Sequence, residues 1–143
     1  MAYGLHVTLT APHLDVVAHA RTALAAEGLV VLTTTDVAAA LHDAFGIDVP
    51  PQIALGVCNE QLAKAALQAD PSVGLLVPCS VIIRAATEST VVEAPILRMI
   101  VAVTGDSALE PVVADATRRL RAAFSQLAAG DQKQVADRSA KTS

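Results

Sequence analysis

Aromatic side chains and cysteines are scarce in this 143-residue chain. Aromatics are 2% of the residues, Trp is absent and Cys occurs twice, so a core must be built from Val, Leu, Ile and Ala. Proteins that bind nucleic acids attract phosphates with positive charge and often stack bases on aromatic rings. A net charge of −4 and few rings therefore predict no nucleic-acid partner. Two cysteines are also too few for a disulfide scaffold.

Long apolar runs and targeting signals are lacking too. No uninterrupted apolar stretch approaches the roughly 18 residues that a membrane-spanning helix needs. The first ten residues, MAYGLHVTLT, do not combine a basic region with an apolar block, as a signal peptide would. We therefore expect a cytoplasmic protein without membrane contact. At 53% hydrophobic and 17% charged residues the chain is globular, and we expect one domain over residues 1–130 followed by a disordered polar tail over 131–143.

Hydrophobic periodicity predicts an α+β protein. Strict alternation over Tyr3–Thr10 indicates a strand with one wet face, and Leu29–Thr35 is rich in β-branched residues. Further strands are expected at Ile53–Cys58, Ser80–Ala86 and Thr90–Ala94, and helices at His13–Glu27, Val37–Phe45, Glu60–Ala69 and Ser107–Gly130. The order β-α-β-α-β-α-β-β-α favours a mainly antiparallel sheet with helices packed on one face. The apolar segment Leu97–Val103 fits a strand or a helix, and we favour a helical or irregular crossing.

Capping signals set several boundaries. Asp36 and Asn59 are expected to cap the helices that follow them, and Asp70-Pro71 forms a turn. Ser107 and Glu110 form an S-x-x-E capping box. In the first helix the buried stripe is predicted at Leu14, Val17, Ala18, Leu24 and Ala25.

Two blocks around the cysteines carry a family resemblance. They are Leu55-Gly56-Val57-Cys58-Asn59 and Gly74-Leu75-Leu76-Val77-Pro78-Cys79-Ser80-Val81, with Asp36-Val37 before them and Asp70-Pro71 between them. Together they resemble the DUF302 family, a bacterial and archaeal domain of unknown function, over about residues 5–95. The resemblance implies an α+β fold of the TBP-like type that is often a homodimer, and it implies no activity. Where the family often has Pro after the Cys-Asn or Gly-Asn pair, this chain has Glu60.

The candidate site consists of Cys58, Asn59 and Cys79. One hypothesis is a homodimeric module without catalysis that binds a small molecule or a metal in a groove lined by these three residues. The alternative is a thiol-based redox protein or enzyme, because a helix N-terminus next to Cys58 would lower the pKa of its thiol. Either cysteine could instead be a small buried hydrophobe. Two thiols alone do not complete a zinc site, so the sequence identifies no particular metal or cofactor.

Other chemical signatures are weak. The four histidines, His6, His13, His19 and His42, contain no i, i+4 pair, and neither G-x-S-x-G nor H-E-x-x-H occurs. Arg84 could hold an anion, or be paired or exposed at a sheet edge. The basic cluster of Arg118, Arg119 and Arg121 is interpreted as a solvated helix face. The apolar stripe of the same last helix could be core or could serve a structural interaction, such as a dimer seam.

Overall fold

The computed structural model describes residues 4–142, apart from the side chain of Thr142. The strands are β1 (Gly4–Leu9), β2 (Val30–Asp36), β3 (Gln52–Cys58), β4 (Cys79–Ala86) and β5 (Ser89–Pro95). The helices are α1 (His13–Ala26), α2 (Val37–Phe45), α3 (Glu60–Ala69), α4 (Met99–Thr104) and α5 (Glu110–Thr142). Short 3-10 turns occupy Pro71–Leu75 and Ser107–Leu109. The predicted α+β class is confirmed, and α4 covers most of the segment Leu97–Val103 that was predicted as helical or irregular. Tyr3 lies outside the described residues.

The five strands form one antiparallel sheet in the order β1-β5-β4-β3-β2. Successive side chains of a strand point to opposite faces, and residues opposite each other in register share a face. The face that packs against α1 and α5 carries Leu55, Val81, Ile83 and Val92, each at most 1% exposed. The sheet is therefore covered on one face, as predicted. The other face carries the ion pair of Arg84 with Glu93.

A close approach on that second face accounts for Gly56. Gly56 on β3 is paired with Thr33 on β2, just after a shift in the register between the two strands. A Cβ atom on Gly56 would lie 2.1 Å from Oγ1 of Thr33, far inside van der Waals contact. The strand therefore requires glycine here for space rather than for its backbone angles.

The buried side of α1 differs from the prediction. Val16, Ala20, Ala23 and Leu24 are buried, whereas Leu14 is 78% exposed. The prediction is right at Leu24 but wrong at Leu14, Ala18 and Ala25, which are exposed, while Val17 is half-buried. Half of the buried stripe is alanine, which contributes little to a hydrophobic pattern. The larger side chain of Leu14 therefore misdirected the sequence pattern.

Both predicted ends of α5 are wrong. At the N-terminal end a 3-10 turn, Ser107–Leu109, precedes the α-helix. Asp106, not Ser107, caps that turn: its Oδ1 accepts a hydrogen bond from Ala108 N–H at 2.9 Å. At the other end the helix does not stop at Gly130 but continues to Thr142, so the described part of the predicted tail lies within it. Glycine inside a helix costs only about 1 kcal/mol relative to Ala. A single glycine therefore need not end a helix that has contacts beyond it.

The other predicted caps are confirmed. Oδ1 of Asp36 accepts from Ala39 N–H, and Oδ1 of Asp70 accepts from Ser72 N–H. Asn59 caps α3 in the same way, through Leu62 N–H. None of the helices in the described part of the chain combines the length and apolar content needed to cross a bilayer.

Candidate functional site

Cys58 ends β3, next to the start of α3. Its side chain is 6% exposed, and Sγ donates a hydrogen bond to the backbone carbonyl of Asn59 at 3.4 Å. Burial raises the pKa of the Cys58 thiol, and backbone hydrogen bonds at Asn59 and Ala63 oppose this more weakly. This direction is opposite to the lowered pKa expected from the helix N-terminus. Here desolvation of the thiolate outweighs the backbone hydrogen bonds at the start of the helix.

Asn59 is buried and serves as the cap of α3. Its Oδ1 accepts from Leu62 N–H at 3.0 Å, and its backbone carbonyl accepts from Ala63 N–H at 3.0 Å. These bonds satisfy groups that a helix terminus otherwise leaves without partners. The carboxamide oxygen is thus committed to the fold.

Cys79 begins β4 directly after the cis peptide bond between Val77 and Pro78. It pairs with Val57, the residue before Cys58, so β3 and β4 bring the two cysteines to neighbouring positions. Both thiols are free and buried. Burial, and then the nearby charge of Cys58, raise the pKa of Cys79 to about 11. The sequence left open whether the two cysteines lie close together. The strand pairing places them at neighbouring positions, and no disulfide bond joins them.

The main cavities of the described chain lie elsewhere, because none of them is lined by Cys58, Asn59 or Cys79. Across residues 4–142, no three side chains of His, Cys, Asp or Glu are grouped as metal ligands would be. The ligand site predicted at Cys58, Asn59 and Cys79 therefore stays a prediction, and the main cavities do not adjoin it.

A groove that the sequence did not predict lies between α4 and α5. Its volume is about 790 Å³, within the roughly 300–1,000 Å³ that is typical of small-molecule sites. The α4 side contributes Ile96, Arg98, Val101 and Ala102, and the α5 side contributes Glu110, Val113, Ala114, Thr117, Arg118 and Arg121. On α5 these residues are Glu110, then the adjacent pairs 113/114 and 117/118, then Arg121, so they recur every three or four residues and share a helix face. The groove thus combines apolar walls with charged side chains.

The three arginines of the basic cluster do not all face this groove. Arg119 points away from the groove: its Nη1 donates to the carbonyl of Glu27 at the end of α1, at 2.7 Å, and its Nε donates to Asp115 at 2.8 Å. Arg118 and Arg121 line the groove instead. The spacing of Glu110, Ala114, Thr117 and Arg121 does place these residues on one helix face in the sequence. That face indicates a groove only when α4 is known to pack beside it.

A second cavity, of about 590 Å³, opens on the face of the sheet that carries the ion pair. Ser80, Ile82 and Glu93 contribute to its lining, together with Met99. Arg84 Nε and Nη2 both donate to Oε1 of Glu93, at 3.0 and 2.7 Å. Arg84 is therefore paired, but it lies on the inner strand β4 and not at a sheet edge.

The fold and its groove define a small α+β protein with a single antiparallel sheet. The chain belongs to the DUF302 family: the family model described as "Domain of unknown function DUF302" matches its residues 5–127. A crystal structure of the uncharacterized conserved protein DUF302 from Bacillus stearothermophilus is similar to it, with a TM-score of 0.78 and 26% sequence identity. That similarity covers 89% of this chain and 99% of the other. No curated protein matches the sequence.

Proposed function

We propose that this protein is a small-ligand-binding module and that the groove between α4 and α5 holds the ligand. The observation that carries the proposal is the groove itself, about 790 Å³ in volume and walled by Val101, Val113 and other apolar side chains. Binding sites of this kind combine apolar walls with a few polar groups that orient the ligand. Arginine stays protonated in proteins, so the guanidinium groups of the groove suit binding rather than proton transfer.

A matched pair of variants tests this proposal. Ala114 lines the groove and is exposed, so Ala114→Trp should fill it while leaving the core intact. Ala129→Trp places the same side chain at an exposed position on α5 that lines none of the main cavities. We expect the apolar dye N-phenyl-1-naphthylamine to bind the wild-type chain and the Ala129→Trp variant equally. Ala114→Trp should weaken binding about tenfold, the scale expected when one or two kcal/mol of apolar contact is lost.

The outcome that contradicts the proposal is equal dye binding by both tryptophan variants, or no saturable binding by the wild-type chain. Circular dichroism during thermal unfolding provides the folding control, because both substitutions are at exposed positions. Matching unfolding temperatures would show that any loss of binding comes from the filled groove.

The site at Cys58, Asn59 and Cys79 remains a prediction for ligand binding, with less support than the groove. What favours it is the neighbouring position of the two thiols. The redox alternative has weaker support still, because burial raises both thiol pKa values whereas a reactive thiolate needs a low one.

We also propose that the protein is a homodimer whose interface contains β2 and α2. In the described chain β2 is an edge strand, and its Val30 and Leu32 are more than half exposed. The helix α2 has no buried residue, and Phe45 at its end is 72% exposed. Ile47 in the following linker is also half exposed. Unpaired strand edges and contiguous exposed apolar side chains are what a second copy of a chain would cover.

Light scattering coupled to size exclusion tests the dimer. Leu32→Lys should convert a dimer into a monomer, because it places a charge in the proposed interface. Leu14→Lys makes the same change at another exposed leucine, on α1, and should leave the dimer intact. A monomeric wild-type chain at micromolar concentration, or equal effects of the two variants, would rule out this interface.

A further inference from the structure

We infer that the ligand of the α4–α5 groove is a small organic anion with an apolar body; this inference rests on the proposed ligand-binding function. The first observation is the charge of the lining. Arg98, Arg118 and Arg121 contribute three positive charges and Glu110 one negative charge, a net of +2. The whole chain carries a net charge of −4. The groove is thus opposite in sign to the protein around it.

Two of these arginines have no partner of their own. Within residues 4–142, the side chain of neither Arg98 nor Arg121 is found in a hydrogen bond or an ion pair. Both are exposed, one where α4 begins and the other on α5. Their guanidinium donors are therefore available to a ligand at the mouth of the groove.

Arg118 has its charge only partly compensated. It donates through Nη2 to Asp115, which also accepts a hydrogen bond from Nε of Arg119. The hydrogen bond from Arg119, the largest cause, and that from Arg118 lower the pKa of Asp115, so this carboxylate is ionised at neutral pH. One carboxylate thus faces two guanidinium groups. Arg119 also donates to the backbone carbonyl of Glu27, which carries no charge. The hydrogen bond to Asp115 therefore holds Arg118 in place without cancelling the positive charge of the groove.

The apolar walls of the groove indicate the chemistry of the uncharged part of the ligand. Val113 is 2% exposed at the base of the groove, Val101 is half-buried and Ile96 is 50% exposed at its edge. No aromatic ring lines the groove in the described chain, so stacking with a nucleobase is not what the walls offer. Aliphatic walls below guanidinium groups fit a carboxylate or sulfonate attached to a hydrocarbon body. Guanidinium groups bind such planar or trigonal anions through paired hydrogen bonds.

Two dyes with the same ring system separate the anion from the apolar body. 1-Anilinonaphthalene-8-sulfonate carries a sulfonate that N-phenyl-1-naphthylamine lacks. In the full chain, the double variant Arg98→Gln/Arg121→Gln should weaken binding of the sulfonate dye about threefold to tenfold, as expected for exposed charge-assisted hydrogen bonds. Binding of the neutral dye should not change. Decanoate, an aliphatic acid, should displace the sulfonate dye from the wild-type chain.

A charge-matched control separates local binding from long-range attraction. Lys64→Gln/Lys133→Gln removes the same number of charges at exposed positions outside the groove, and we expect it to leave both dyes unaffected. Equal weakening of the sulfonate dye by both double variants would overturn the inference, as would no weakening by the arginine variant. Binding to phosphatidylglycerol vesicles with no binding of decanoate would also overturn it, because the occupant would then be a lipid surface.

The Ala114→Trp variant distinguishes failure of the two proposals. If it weakens binding of both dyes while the arginine variant affects neither, the groove binds ligands but not specifically anions. If Ala114→Trp changes neither dye, the dyes bind elsewhere and both proposals fall.

Discussion

Asp131 and Thr10 are joined by a pair of hydrogen bonds across the fold. Oδ1 of Asp131 accepts from the backbone amide of Thr10 at 3.0 Å and from its hydroxyl group at 3.1 Å. The same oxygen accepts from Ala11 N–H at 3.0 Å. These bonds attach the far part of α5 to the turn between β1 and α1. They give the residues after Gly130 a tertiary contact, which explains why the helix continues there.

We predict that Asp131→Ala lowers the free energy of unfolding by about 1 kcal/mol, because it removes a charged acceptor from two backbone amides in the manner of a lost helix cap. Urea unfolding followed by circular dichroism measures the change. Asp137→Ala, at an exposed position of the same helix, is the control and should be nearly neutral. Equal losses in the two variants would show that the contact to Thr10 contributes nothing specific.

Gly56→Ala should destabilise the protein by about 1–3 kcal/mol, the usual cost of an added group in a closely packed site. The reason is the 2.1 Å separation that its Cβ would have from Oγ1 of Thr33. Thr33→Ala removes that oxygen, so the double variant should recover most of the loss. A double-mutant cycle measured in urea gives the coupling between the two positions. Additive losses, with no recovery, would contradict the steric explanation.

The thiol of Cys79 makes stability depend on pH in the alkaline range. Its pKa rises from an ordinary value of 9.0 to about 11 in the folded chain, chiefly because of burial. Above pH 9 the unfolded chain therefore releases this proton while the folded chain retains it, so the contribution to stability falls and is lost by about pH 11. Subtracting the pH profile of Cys79→Val, which has no thiol, isolates this effect from other alkaline titrations. Parallel profiles from pH 8 to pH 11 would contradict the raised pKa.

Much of the fold could be predicted because its signals are local. Asp36, Asn59 and Asp70 each cap or turn the backbone within three residues, and all three interactions are present. Alternation along β1 likewise assigned His6 and Thr8 to the exposed side. Such features depend on backbone geometry and side-chain chemistry within a few residues.

Predictions failed where distant contacts decide the structure. Ala20 and Ala23 are buried because α5 packs against α1, and alanine carries little hydrophobic signal of its own. The end of α5 was misplaced because Asp131 acts through residues 120 or more positions away. The separation of Arg119 from its neighbours depends on Glu27, which is 92 residues distant. No local pattern contains these partners.

The candidate site also has features that could be predicted from the sequence and features that could not. Cys58 and Cys79 could be selected from the sequence, and their neighbouring positions follow from the pairing of β3 with β4. The direction of their pKa shifts could not be predicted from the sequence, because it depends on how completely the folded chain excludes water from the two thiols. The groove was missed because it belongs to two helices that meet only in the folded chain, and one of them, α4, has six residues and weak signals.

The most direct measurement is a ¹H–¹⁵N NMR titration of the full chain with N-phenyl-1-naphthylamine. We expect the largest saturable shifts on amides of the groove, such as those of Val101, Ala102, Ala114 and Thr117. Shifts centred on Cys58, Asn59 and Cys79, with the groove amides unchanged, would contradict it and would instead favour the site predicted from the sequence.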